Sequence, residues 1–140
     1  MFVLDTDHLS LLQRGPPGGE LVMRRLAGLA SDQVATTIVN YEEQTRGWFS
    51  FFAKCRTLAQ QIDGYRRLRV HLDHYRAIVV LDFDEAAAVS FQELQGQKIR
   101  ISTSDLKIAA VVLANNATLV TRNRTDFQRV AGLRFEDWTK

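Results

Sequence analysis

The stretch VLDTDHL at residues 3–9 decides the fold. With Phe2 before it, Val3 and Leu4 make a short continuous apolar run, the pattern of a strand covered on both faces in a parallel sheet. Two carboxylates, Asp5 and Asp7, follow directly. Open parallel sheets bind their ligands outside the C-terminal ends of the strands, at a switch in strand order. An acid at the end of such a strand is therefore a candidate functional group, and further acids are to be sought at the ends of the other strands.

Working outward, the polar TDHLS and the apolar Leu9, Leu11 and Leu12 predict a short helix, closed by GPPGG at 15–19. A second helix is expected over 20–30, with Leu21, Val22, Leu26 and Leu29 on its apolar side. The β-branched run VATTIV at 34–39 predicts a second strand turning into a helix near Asn40, with Glu42 and Glu43 at the junction. A helical hairpin follows to Ala77, breaking at 55–57 or at Gly64. IVVLDF at 78–83, TLVT at 118–121 and LRFEDW at 133–138 read as further strands. Between the first two of these, helices are expected over 84–95 and over 102–116, the latter capped by Ser102 or Ser104. Strands alternating with helices predict an α/β fold with a mostly parallel sheet and helices on both faces.

The 140 residues fit a single domain, 1–140, with 46% hydrophobic and 24% charged residues. Cys55 is the only cysteine, which excludes an internal disulfide and a cysteine-built zinc site. Asp5 comes too early for a signal peptide's apolar segment, and no apolar run approaches the ~20 residues of a membrane span. A soluble, cytoplasmic protein is expected. Net charge is +2, and only four of the 18 basic residues are lysines. Arginine favours planar, bidentate contact with phosphate or carboxylate.

The polar residues expected at the strand ends are Asp5, Glu42 or Glu43, Asp105 at the head of a helix, and Asn123 and Asp126 after TLVT. Several carboxylates at one point repel one another, and a divalent cation is the natural way to hold them ionised together. An all-oxygen set favours Mg²⁺ or Mn²⁺ over zinc. Such an ion suits phosphodiester cleavage, because it polarises the phosphoryl oxygens while water attacks in line.

VLDTDHLS, TTIVNYEEQTRG, SDLKIAAVVLANNATLVTRNRTDF and the closing GLRFEDW resemble, in this order, the PIN-domain ribonucleases, and among them the VapC-type toxins of bacterial type II toxin–antitoxin systems. The resemblance implies a three-layer α/β/α domain with four to five strands. It also implies a metal-dependent endoribonuclease acting on RNA, neutralised by a VapB-like antitoxin, with a homodimer as the assembly the resemblance suggests. Position by position it places the family's acids on Asp5, Glu43, Asp105 and Asp126, with Asp5, Glu43 and Asp105 as metal ligands. Gly47, four residues after Glu43, sets that register, and Glu42 is the alternative. Thr121 and Asn123 become neighbours of the site. Asp7 stands where many relatives carry Asn, and Ser102-Thr103-Ser104 where a glycine is common.

Simpler readings stand beside these. Asp5 and Asp7 suit helix caps, Asp105 suits a helix dipole, and NRTD is also a turn signal. His8, His71 and His74 are expected to be structural or surface residues. Trp48, Phe51 and Phe52 share a helix face that suits the core, and Phe49 lies further round. Trp48, Phe49, Phe52, Arg66, Arg67 and Arg69 are candidate contacts for antitoxin or RNA, or else a solvated face. A PIN nuclease of RNA processing without an antitoxin, and a non-catalytic protein that binds a partner or nucleic acid, are the rival functions.

Overall fold

The computed structural model describes all 140 residues, Met1–Lys140. The chain runs β1 (Phe2–Leu4), α1 (Thr6–Arg14), α2 (Glu20–Ala27), a 3-10 turn (Ser31–Gln33), β2 (Val34–Thr37), α3 (Ile38–Ala53) and α4 (Leu58–Arg76). It continues through β3 (Val79–Leu81), α5 (Glu85–Gly96), α6 (Thr103–Ala114), β4 (Thr118–Val120), α7 (Arg124–Phe127) and β5 (Arg134–Glu136). All five strands pair in parallel in one sheet of order β3-β2-β1-β4-β5.

The apolar run that opens the chain is buried from two sides because successive strand residues point to opposite faces. Val3 and Leu119 join one core with Val39, Leu94, Ile108 and Phe127. Leu4 and Val120 join the other with Leu9, Val22, Tyr75 and Trp138. Helices α3, α5 and α6 contribute to the first core, and α1, α2 and α4 to the second. The result is a three-layer α/β/α arrangement.

Strand order creates the crevice. From β1 the chain steps outward through β2 to β3, then crosses back to place β4 on the other side of β1. The C-terminal ends of β1 and β4 therefore border the switch point. Asp5 follows β1 and its amide donates to Val120 O at 2.9 Å.

Several boundaries differ from the sequence expectation. The helix expected over 20–30 stops at Ala27, where Gly28 caps it, and Leu21 is exposed while Val22 is fully buried. The strand expected over 34–39 stops at Thr37: its hydroxyl accepts from Asn40 N, starting α3 two residues earlier than the β-branched run suggests. The hairpin breaks between Ala53 and Leu58, with Thr57 capping α4. Gly64 lies inside α4, where a Cβ would come within 2.8 Å of the Phe52 ring, so the glycine serves helix packing and not a break. The short helix α7, capped by Asn123, was expected only as a turn.

Candidate active site

Asp5 is the centre of the arrangement. It sits at the N-cap of α1 with 7% of its surface exposed. Its Oδ1 accepts from Thr6 N at 2.8 Å and from Asn40 Nδ2 at 3.0 Å, and its Oδ2 accepts from the Thr121 hydroxyl at 2.8 Å. The N-cap of α1 and the mouth of the sheet thus coincide at one residue.

The bonds continue in both directions. Asn40 Nδ2 also donates to Thr6 Oγ1 at 3.0 Å, and Thr6 donates in turn to Glu43 Oε1 at 3.2 Å. On the other side Thr121 Oγ1 accepts from Asn123 N at 3.0 Å, and Asn123 Nδ2 donates to Asp126 Oδ2 at 3.0 Å. One string of hydrogen bonds therefore runs from Glu43 on α3, through Asp5, to Asp126 on α7. Its polarity is consistent throughout: the hydroxyls each accept one bond and donate one, and the carboxylates only accept.

Asp105 completes the group from the first turn of α6, where its amide donates to the Ser102 hydroxyl at 3.1 Å. It joins by charge, not by hydrogen bonding. Burial pushes the Asp105 carboxyl up, and the charges of Asp126 and Asp7 add to the effect against the Ser102 hydrogen bond. Glu43 is raised by burial first and then by the charges of Asp5 and Asp105. For Asp5, burial is again the main cause; Asp7 and Asp105 raise it further, while the bonds from Thr6 and Thr121 oppose the shift. Each carboxylate thus makes its neighbours harder to ionise.

Glu42 and Glu43 separate cleanly. Glu43 is half-buried and held by Thr6, whereas Glu42 points outward in an exposed pair with Arg46 at 3.0 Å. Asp7 braces the rim: Oδ1 accepts from His8 N at 2.7 Å and lies 3.0 Å from His8 Nδ1, while Oδ2 accepts from Arg122 N at 3.3 Å. His8 is fully buried, and its Nε2 accepts from Trp138 N at 3.2 Å, which assigns the ring proton to Nδ1. The structural reading of this histidine holds.

The residue types fit a hard divalent ion: every donor is an oxygen, and the charges are repelling and partly desolvated. As placed, however, no three His, Cys, Asp or Glu side chains close around one point to form a cage for a metal ion. The expected convergence is one of neighbouring carboxylates, with Asp5 already engaged by three donors. Carboxylate-bound Mg²⁺ keeps several of its waters, so this spacing suits an ion held partly through water.

Sequence reasoning missed Asn40 and Thr6. Both lie in legible motifs: Thr37-x-x-Asn40 is a capping pair, and Thr6 stands between Asp5 and Asp7. What the sequence could not supply was that Asn40 turns its second hydrogen-bonding atom back to Asp5.

The candidate partner residues disperse. Trp48, Arg66 and Arg67 line a cleft of about 710 Å³ beside α1, α3 and α4. Phe49 is 59% exposed and lines a different, mainly apolar cleft of about 620 Å³ with Ile38, Phe83 and Lys107. Phe52 packs edge-on against Tyr65, and Arg69 pairs with Asp73 on the exposed side of α4. The core assignment of Trp48, Phe51 and Phe52 is corrected: none is buried, and Phe51 is exposed under the Arg67 guanidinium, 5.2 Å from its ring centre. Along α3 only Val39 and Asn40 are buried, and residues 46–53 are exposed or half-buried.

A family model described as "PIN domain" matches residues 2–133. The chain is 28% identical over 143 residues to "Ribonuclease VapC1" of Haemophilus influenzae strain R2866, an alignment covering 100% of this chain and 99% of that protein. Among solved structures it resembles a chain of DNA-bound VapBC from Salmonella typhimurium, with TM-score 0.79, 25% identity, and 98% and 97% of the two chains covered. It also resembles a chain of VapBC-1 from nontypeable Haemophilus influenzae, with TM-score 0.75, 25% identity, and 99% and 98% covered.

Proposed function

The chain belongs to the PIN-domain family, and on that premise we propose that it is a metal-dependent endoribonuclease, the toxin of a type II toxin–antitoxin pair, built as one nuclease domain over residues 1–140. The observation that carries the reading is the string of hydrogen bonds joining Glu43, Asp5 and Asp126 at the switch point of the sheet, with Asp105 facing it. The full-length likeness to a ribonuclease VapC supports the same reaction class, and the likeness to VapBC complexes supports a protein antitoxin as partner.

Asp5, Glu43 and Asp105 are the residues that would hold Mg²⁺ or Mn²⁺. Bound there, the ion supplies charge neutralisation and polarisation of the phosphoryl oxygens. The protein's own groups do the rest. Thr121 and Asn40 fix both oxygens of Asp5, so that the carboxylate is held in place without reorganisation. Thr6 holds Glu43 in the same way. Asp126, steadied by Asn123, would support a second ion or position the attacking water.

The test is expression of the chain, with mapping of new RNA 5′ ends across the transcriptome. Wild type is expected to create a reproducible set of ends that Asp5→Asn does not. Co-expression with the product of a small neighbouring reading frame is expected to suppress them and to yield a co-purifying complex. Identical end profiles for wild type and Asp5→Asn contradict the nuclease reading, and ends that no co-expressed neighbour suppresses contradict the toxin reading.

A further inference from the structure

The cleft beside α1, α3 and α4 begins one helical turn from the acids. Ser10 lies four residues after Thr6 on α1, and Gly47 four residues after Glu43 on α3, a displacement of about 6 Å along each helix axis. Between them Gln44 forms a fixed wall: its Nε2 donates to Ser10 Oγ and Gln13 Oε1, both at 3.2 Å, and its Oε1 accepts from Tyr75 OH at 2.6 Å.

The cleft's lining contains no acid. Arg14, Arg66 and Arg67 supply charge, and Trp48 and Phe51 supply aromatic planes set edge to face, with centroids 5.9 Å apart. Arg67 is shared with Asp63 at 2.9 Å, whereas Arg14 and Arg66 pair with no carboxylate. His71, almost fully buried, also lines the cleft. Its Nε2 meets the Thr45 hydroxyl at 2.9 Å, and its Nδ1 is the one buried side-chain polar atom in the protein without a hydrogen-bond partner. Either tautomer leaves that nitrogen unsatisfied, an uncommon state for a buried polar atom.

We propose that this cleft is a nucleotide subsite, binding the RNA residue that flanks the scissile phosphodiester, with its base against Trp48 and its phosphates on Arg14 and Arg66. The proposal rests on the ribonuclease reading and names where the substrate extends. Single-stranded RNA is recognised by bases stacked on aromatic side chains and arginine planes, with the backbone following a positive groove. A volume of about 710 Å³ lies within the ~300–1,000 Å³ of small-ligand sites and is large enough for one nucleotide, and the acid-free lining with Arg14 and Arg66 unpaired suits its phosphates. Gln13 and Gln44, whose amides are bonded to each other, to Ser10 and to Tyr75, form the rigid floor against which the nucleotide would lie.

The experiment measures anisotropy of a short fluorescein-labelled single-stranded RNA with the full-length chain in EDTA, followed by cleavage of the same RNA with Mn²⁺. Trp48→Ala is expected to weaken binding about tenfold, and Trp48→Phe to restore most of the loss. Gly47→Leu adds bulk inside the cleft, where an added Cβ meets nothing within 4 Å, and is expected to raise Kd and KM without disturbing the fold. Arg14→Gln and Arg66→Gln are each expected to reduce the salt slope of binding by about 0.7. RNA affinity unchanged in these variants overturns the subsite, as does a loss confined to an acidic helical peptide, which assigns the cleft to a protein partner. Cleft variants that lose RNA binding, beside a wild type that binds but never cleaves, uphold the subsite and remove the ribonuclease reading. Cleavage abolished by Asp5→Asn while the cleft variants keep the wild-type KM removes the subsite alone.

Discussion

Thr121 and Asp5, 116 positions apart in the chain, meet through a buried hydroxyl–carboxylate hydrogen bond of 2.8 Å. The bond ties the end of β4 to the end of β1 across the switch point, and the same hydroxyl accepts from Asn123 N. Replacing it by a methyl group leaves both partners short of a bond. Thr121→Val is expected to cost about 1–3 kcal/mol, read by urea denaturation, with Thr121→Ser close to wild type. Equal stability of all three proteins contradicts the bracing role.

Asn40 is fully buried and serves two elements at once. Its Oδ1 accepts from Thr37, and its Nδ2 donates to Asp5 and Thr6. Asn40→Ala is expected to cost about 2–3 kcal/mol, the sum of a lost cap and a donor withdrawn from a buried carboxylate. Asn40→Asp keeps the shape but adds a charge beside Asp5, and is expected to lose RNA cleavage while retaining its circular dichroism spectrum. Full activity in that variant contradicts the placement of Asn40.

Asp5, Glu43 and Asp105 are all raised in the folded protein, with burial as the main cause. The native state therefore holds protons that the unfolded chain has already released. Stability falls as pH rises from the ordinary carboxylate range through the raised values, since the folded state binds more protons there. In EDTA, Tm is expected to be higher at mildly acidic than at neutral pH from these groups, and Asp105→Asn to flatten the dependence. A Tm that rises over that interval, unaltered by Asp105→Asn, contradicts the assignment.

A divalent ion bound only by the native state stabilises it by mass action, about 2.7 kcal/mol at a hundredfold excess over Kd. Mn²⁺ is expected to raise Tm at neutral pH, and Asp5→Ala to remove the rise. Equal shifts in the two proteins locate binding elsewhere.

Much of this was legible in sequence for a physical reason. Strands buried on both faces are written as unbroken apolar runs, so Phe2–Leu4 and Thr118–Val120 were found, and the acids beyond them with them. Ser102 before Asp105 announced a helix start by its cap. Local propensity misled where a hydrogen bond overrode it: Ile38 and Val39 look like strand, but the Thr37–Asn40 pair begins a helix before them. The division of labour between Glu42 and Glu43 depended on helix register and on Thr6, a contact 37 residues away in the chain. The aromatic run at 48–52 reads as core only if α3 is covered along its whole length, and it is not.

The central claim is that Asp5 and its neighbours form a metal-dependent ribonuclease centre. The most direct measurement is cleavage of a structured RNA by purified protein, with Mn²⁺ or with EDTA, in wild type, Asp5→Asn and Asp105→Asn at matched thermal stability. Wild type is predicted to cleave only with the metal, and each variant to lose at least a hundredfold, about 2.7 kcal/mol of transition-state stabilisation. Metal-independent cleavage by wild type, or full activity in both well-folded variants, would contradict the account.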